Sequence, residues 1–289
     1  MIWQTTRYAI DLTRPQVMGI VNLTPDSFSD GGQHAGTRAA LAHCEQLLKD
    51  GADILDLGGE STRPGAVQVP LDEELARELP VLREALKLGV PLSVDTYKPR
   101  VMQATLDLGA DIVNDIWALR WQDARDPLDG RQVVARHSSC GVCLMHMHGE
   151  PRTMQVRPME GDVLPAVLAF LRQAAQELQV RGVARERIVL DPGIGFGKTV
   201  AQNFSLLARQ PELLAAGYPL LAGWSRKSSL GAVASPPPGS TMLPGVHERM
   251  APSVAAALLA VERGAAIVRV HDVRETVQAL KVLAALGQR

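Results

Sequence analysis

The chain is expected to fold as a single-domain α/β protein, a (β/α)8 TIM barrel spanning residues 1–289, and three features of the sequence predict this. Eight short β-branched or apolar runs recur along the 289 residues, each followed by a stretch of helical period. Glycines punctuate the helix-to-strand turns at Gly51, Gly89, Gly109 and Gly264. Nearly every run ends in a side chain that a core does not accept. Strands alternating with helices make a parallel sheet. Eight such units in one chain favour closure into a barrel over the competing arrangement, a doubly wound open sheet.

In order, the strand candidates are Gln16–Asn22, Asp53–Leu57, Pro91–Asp95, Asp111–Asp115, Gly141–His146, Arg187–Asp191, Pro219–Gly223 and Ala266–Val270. The first helix, Thr37–Asp50, places Leu41, Cys44, Leu47 and Leu48 on one face. A second covers Leu71–Leu88, where Asp72, Glu73, Glu74, Arg77 and Glu78 read as a solvated face. Another spans Pro252–Arg263, and the last, Val273–Leu286, aligns Val277, Leu280 and Leu283. Between Ser235 and Gly245 the run SPPPGSTMLPG cannot be helical; it reads as a surface insertion in the seventh unit.

Composition narrows the partners. Lys and Arg number 30 against 31 Asp and Glu, a net charge of −1, and aromatic residues make up 4%. A nucleic-acid backbone or a base-stacking platform is therefore not expected. The N-terminus lacks the basic start and apolar core of a secretory signal, and no apolar run reaches the ~20 residues of a membrane span. Three cysteines fit a reducing compartment, so a cytoplasmic location is expected.

In a (β/α)8 barrel the chemistry sits where the strands end. Here those ends carry Asn22; Asp56 with Glu60, Ser61, Thr62 and Arg63; Asp95; Asn114 and Asp115; His146; Asp191; Ser225, Arg226, Lys227 and Ser228; and Arg269, His271 and Asp272. Burying one such group unpaired costs ~1–3 kcal/mol, so all eight ends together mark a polar site. Asp95, Asn114 and Asp191 suit a flat heterocycle with N–H donors, because a carboxylate accepts two adjacent donors at once. Arg63, Lys227, Arg269 and His271 suit an anion such as a phosphate or carboxylate. No Ser-His-Asp order, HExxH helix or paired-carboxylate spacing stands out. The expected work is joining two substrates and stabilising a leaving group. The loop after the first strand, within Met18–Gly32, reads as a lid.

Two nucleotide-like motifs fail in detail. In Asp191–Thr199 the first glycine of a P-loop would fall on Pro192, and a dinucleotide fingerprint would need glycine at Lys198. Cys140, Cys143, His146 and His148 resemble half a zinc site. A strand rising ~3.3 Å per residue, however, separates Cys140 from His146 by roughly 20 Å, so the cysteines are expected to be structural.

Taken together, GIVNLTPDSFSDGG (19–32), ILDLGGESTRPGA (54–66), SVDTYK (93–98), ADIVNDI (110–116), VCLMHM (142–147), LDPGIGFGK (190–198), GWSRKSSLG (223–231) and RVHDV (269–273) resemble the dihydropteroate synthase family, which sulfonamides inhibit. The resemblance implies condensation of 6-hydroxymethyl-7,8-dihydropterin diphosphate with 4-aminobenzoate in folate biosynthesis. It implies that Asp95, Asn114, Asp191 and Lys227 hold the pterin, with Ile116 and Met145 near its ring. Asn22 through Mg2+, Thr62, Arg269 and His271 are implied to receive the diphosphate. Phe28, Thr62, Arg63, Pro64, Phe196 and Ser228 are implied to surround the aminobenzoate, and Asp30, with Lys227, Arg269 and His271, to assist the chemistry. It further implies a homodimer. A pterin-dependent methyltransferase and a non-catalytic pterin-binding paralogue are the alternatives. Neither needs the first loop together with Lys227, Arg269 and His271.

Overall fold

A computed structural model describes residues 1–24, 32–62, 65–234 and 245–287. It opens with a short antiparallel hairpin, β1 (Ile2–Gln4) and β2 (Ala9–Asp11). Eight strands follow: β3 (Gln16–Asn22), β4 (Ile54–Gly58), β5 (Leu92–Asp95), β6 (Ile112–Asp115), β7 (Gly141–Met145), β8 (Ile188–Asp191), β9 (Leu220–Ala222) and β10 (Ala265–Val270). They pair in parallel in sequence order, and β10 returns to pair with β3, closing the ring. Closure removes the doubly wound alternative. The described helices are α1 (Gly32–Lys49), α2 (Leu71–Ala85), α3 (Pro99–Leu108), α4 (Gly130–Arg136), α5 (Leu164–Val180), α6 (Val200–Ala208), α7 (Gln210–Leu213), α8 (Ser228–Val233), α9 (Met250–Glu262) and α10 (Val273–Leu286). None is long and apolar enough to cross a membrane.

Alternate residues of a strand face opposite sides. The outward set, including Val17, Leu55, Val94, Val113, Leu144, Leu190 and Val268, packs under the helices in the main core. The inward set changes character along each strand. At the N-terminal end Met18, Ile54, Ile112, Cys143, Val189, Leu221 and Ile267 form one buried cluster with Trp3, Ile10 and Leu12 of the N-terminal segment. Two residues further on, the same face of β4, β6, β8 and β10 carries Asp56, Asn114, Asp191 and Arg269. One layer of the barrel is oil and the next is charge.

The hairpin is the bottom cover, an element absent from the sequence reading. The Trp3 indole donates to the Arg187 carbonyl at 2.9 Å. Arg7 grips Asp111 through two guanidinium nitrogens, Nε at 3.1 Å and Nη2 at 2.6 Å, while Asp111 also accepts the Leu92 N–H at 2.9 Å. Arg187 spends its guanidinium on the carbonyls of Cys140 and Val134, at 2.7 and 2.8 Å. The three cysteines are unpaired and buried, and no group of His, Cys, Asp or Glu among the described residues could hold a metal.

The solvated face assigned to the second helix needs correction. Glu74 and Glu78 are buried, at 1% and 0% exposure. The chain after β4 folds back over that turn, so the acids at i and i+4 face Gly59 and Lys98 rather than water. Helix bounds also shift: α1 starts at Gly32 rather than Thr37, α9 at Met250 rather than Pro252, and after Ala85 the chain tightens into a 3-10 turn, Leu86–Leu88. The Pro-rich stretch lies outside the described residues apart from Gly245.

Candidate active site

At the C-terminal mouth of the barrel a cavity of about 380 Å³ opens. Asn22, Thr62, Asp95, Asn114, Ile116, Met145, Asp191, Phe196, Lys227, Ser228, Arg269 and His271 all line it. Every described residue that the family resemblance assigns to a substrate thus lines one cavity. Phe28, Asp30, Arg63 and Pro64 fall outside the described residues, as does most of the expected lid. A larger cavity, about 510 Å³, lies beside Gln68–Leu71 and Trp121–Asp126 and contains none of the expected site residues.

The floor is organised around one guanidinium. Arg269 donates from Nε to Asp56 and from Nη2 to Asp95, both at 2.6 Å. The Asn114 amide also donates to Asp56, at 3.2 Å. Asp56 Oδ1 is buried without a hydrogen-bond partner. Burial pushes the Asp95 carboxyl up to about 7; Arg269 opposes the rise, while Asp56, Asp115 and Glu74 add to it. For Arg269, burial works against the charge, but Asp56 and Asp95 more than offset it and hold the proton above the ordinary value. Arg269, expected to serve an anion, therefore also reaches down to the acids of the floor. The sequence could not show this, because the contact depends on β10 closing beside β3.

Asp191 sits across the cavity. Burial raises its carboxyl, against the Gly193 N–H, which donates to Oδ1 at 2.6 Å, and against nearby Lys227 and Lys198. The glycine-rich stretch that follows is a turn, not a phosphate cradle. Gly193 has a φ of +69°, and an added Cβ there runs into the His146 carbonyl, so glycine is required. Lys198 is buried beneath the turn and donates to the carbonyls of Gly193 and Phe196, at 2.9 and 3.1 Å. Desolvation pushes its ammonium down to about 7. A P-loop lysine faces a phosphate; this one holds backbone.

The walls divide the chemistry. Ile116, Met145, Met147, Met154, Tyr97 and Phe196 form a buried apolar cluster on one side. The Lys227 ammonium stands 4.1 Å from the centre of the Phe196 ring. Opposite, Ser225 Oγ lies 2.9 Å from His271 Nδ1 and accepts the His271 backbone N–H at 3.1 Å. Among the described strand-end groups, Asp56, Asp115, His146 and Asp272 do not line the cavity; Asp56 is held by Arg269, and Asp272 is paired with Arg226 at 2.6 Å. Asp115 accepts the N–H groups of Trp117 and Leu119, at 2.7 and 2.6 Å, across a turn in which Ala118 and Leu119 adopt positive φ. His146 packs edge-on against Phe170, and burial pushes its imidazole down to about 3. Ile20, Met154 and Arg249 also line the site, and none of them is at a strand end that the sequence marks as polar.

A buried donor and acceptor set of this kind, at the mouth of a closed parallel barrel, defines a small-molecule enzyme site. The model of the pterin binding enzyme family matches residues 18–271. The dihydropteroate synthase of Neisseria meningitidis serogroup B is 50% identical over 291 residues, covering 99% of this chain and 98% of that protein. The Xanthomonas albilineans dihydropteroate synthase solved with 4-aminobenzoic acid superposes with a TM-score of 0.89 at 44% identity, covering 100% of both chains. The Burkholderia cenocepacia dihydropteroate synthase complexed with 7,8-dihydropteroate gives 0.85 at 49% identity, over 100% of this chain and 98% of that one. The chain belongs to the dihydropteroate synthase family of pterin-binding enzymes.

Proposed function

We infer that the chain is a transferase that condenses 6-hydroxymethyl-7,8-dihydropterin diphosphate with 4-aminobenzoate to give 7,8-dihydropteroate and diphosphate. The observation that carries this reading is the convergence of Asp95, Asn114, Asp191, Lys227, Arg269 and His271 on one cavity. In the reaction the C–O bond to diphosphate breaks with its electron pair leaving on oxygen. The arylamine lone pair forms the new C–N bond, and the amine then loses a proton. An arylamine is already neutral near pH 7, so a strong general base is not required. The catalytic work is electrostatic: stabilising the departing anion while the methylene carbon becomes electron-poor.

Asp191, Asp95 and Asn114 are assigned to the ring N–H donors of the pterin, with Ile116 and Met145 against its face. Lys227 spans the pterin and the Phe196 wall. Arg269 and His271, with Thr62, are assigned to the diphosphate, and Thr62, Phe196 and Ser228 to the aminobenzoate. Asn22 offers a neutral amide oxygen on the cavity wall it shares with Arg269 and His271, and no cluster of acids and histidines among the described residues forms a cation cage. That donor set suits Mg2+, which keeps water and substrate phosphate oxygens as most of its ligands. Bound there, Mg2+ would add positive charge at the leaving group. Three buried, unpaired cysteines are consistent with a cytoplasmic location. Exposed Leu259, Val282 and Leu286 on α9 and α10 support a homodimer, checked by sedimentation.

Purified protein incubated with both substrates and Mg2+ should release dihydropteroate and diphosphate in equal amounts. A protein that binds the pterin diphosphate and forms no product contradicts the assignment.

A further inference from the structure

The residues between β4 and α2 leave the barrel at Gly59 and return at Val69, and both points are held by buried charge. At the exit, the Gly59 N–H donates to Glu78 at 2.8 Å and its carbonyl accepts Arg77 at 2.7 Å. At the return, Glu60 Oε2 accepts the Val69 N–H at 3.1 Å, and Lys98 Nζ donates to the Val69 carbonyl at 2.5 Å. Glu60 and Lys98 are themselves paired at 2.6 Å, with side chains 7% and 5% exposed. The second Glu60 oxygen accepts the Tyr97 hydroxyl at 2.7 Å. The third donor of Lys98 goes to Glu74, whose other oxygen accepts Thr96 Oγ1 at 2.6 Å. One ion pair thus closes the neck of the loop by gripping both backbone polar groups of a single residue, Val69, nine residues along the chain from Glu60. Thr62 stands two residues beyond that neck, on the cavity wall.

Resting on the assignment of Thr62 to the aminobenzoate, we propose that Glu60 and Lys98 are positioning residues for the second substrate. Their ion pair fixes where the loop leaves and rejoins the barrel, and so where Thr62 presents itself, while Asn114, Asp191 and Arg269 of the pterin floor stand on strand ends that make no hydrogen bond to Glu60 or Lys98. Buried ion pairs seldom out-stabilise apolar substitutes. Here the charge serves direction: a carboxylate and an ammonium together satisfy one N–H and one carbonyl that an apolar neck would leave unpaired. A misplaced reactant loses rate without any loss of fold.

The test is steady-state kinetics in both substrates on Glu60→Gln, Lys98→Met and Tyr97→Phe. For Glu60→Gln the KM for 4-aminobenzoate should rise about tenfold, the expected loss for one charged hydrogen bond, while that for the pterin diphosphate stays within about twofold; Lys98→Met should raise the 4-aminobenzoate constant as much and the pterin constant by less, because it also takes the cation from Glu74. Tyr97→Phe removes one hydroxyl donor and should shift the same constant about threefold, keeping the test open if a charge variant does not fold. Lys98→Arg should recover part of the loss. Equal rises in both KM values, or lower melting temperatures with neither KM changed, overturn the positioning role. Absence of product from the wild type overturns the functional assignment instead.

Discussion

At the N-terminal end of the barrel the Arg7 guanidinium and the Asp111 carboxylate close on each other, and Arg187 is spent on two carbonyls. At the C-terminal end, about one layer up, Asp95 is pushed to about 7 and Asp56 keeps an unpartnered oxygen, although Arg269 stands between them. Both ends bury charge. The lower set is arranged so that each group satisfies another group of the protein. The upper set is left with unmatched capacity, and a polar group without a partner costs more than a made hydrogen bond returns. Such a cost persists where a ligand relieves it.

Breaking the lower set should therefore damage the fold, and breaking the upper set the binding. The largest effect is expected for Asp111→Ala, which strips Arg7 of its partner and orphans the Leu92 N–H. Denaturant unfolding should show a loss of about 3 kcal/mol, with the affinity of the folded protein for pterin unchanged. Asp191→Ala should cost ~1.5–3 kcal/mol of pterin binding, the range for a charged hydrogen bond, and, because it orphans only the Gly193 N–H, less stability than Asp111→Ala, with the fold retained. Arg269→Ala should weaken diphosphate binding in the presence of Mg2+ about tenfold. Unaltered diphosphate affinity in that variant assigns the anion to other groups.

The smallest effect is the pH dependence from Asp95. Its folded-state value is near 7, raised by burial, and the pterin N–H groups need the carboxylate form. Pterin affinity should rise with pH through neutrality and level off above it, and Asp95→Asn should flatten the curve. Stability runs the other way. The folded protein holds a proton that the unfolded chain releases above about 3.9, so this group's contribution is present at low pH and lost as pH rises towards 7. Opposite slopes for binding and stability would sharpen the contrast between the two ends. A flat binding profile would break it.

Much of this was legible in the sequence because a barrel strand writes its layers in order. Ile54 then Asp56, Ile112 then Asn114, Val189 then Asp191 and Ile267 then Arg269 are inward pairs two residues apart, so the polar layer is visible as a sequence of strand ends. Side-chain partnership is not visible in the same way. Arg269 meets Asp56 and Asp95 because the ring closes, and Glu74 meets Lys98 because a loop covers a helix face that periodicity alone marks as solvent-facing. The hairpin was missed because three-residue strands are too short for alternation to register. Glycine spacing argues against a P-loop around Lys198, but its place among backbone carbonyls depends on the positive-φ turn at Gly193.

The most direct test of the reserved upper layer is calorimetric titration of the pterin diphosphate into wild type and Asp191→Ala, with the melting midpoint of each sample recorded alongside. The account predicts at least a tenfold loss of affinity in the variant with folding retained. Equal affinity in the two proteins would contradict it, placing Asp191 with the groups that serve the fold.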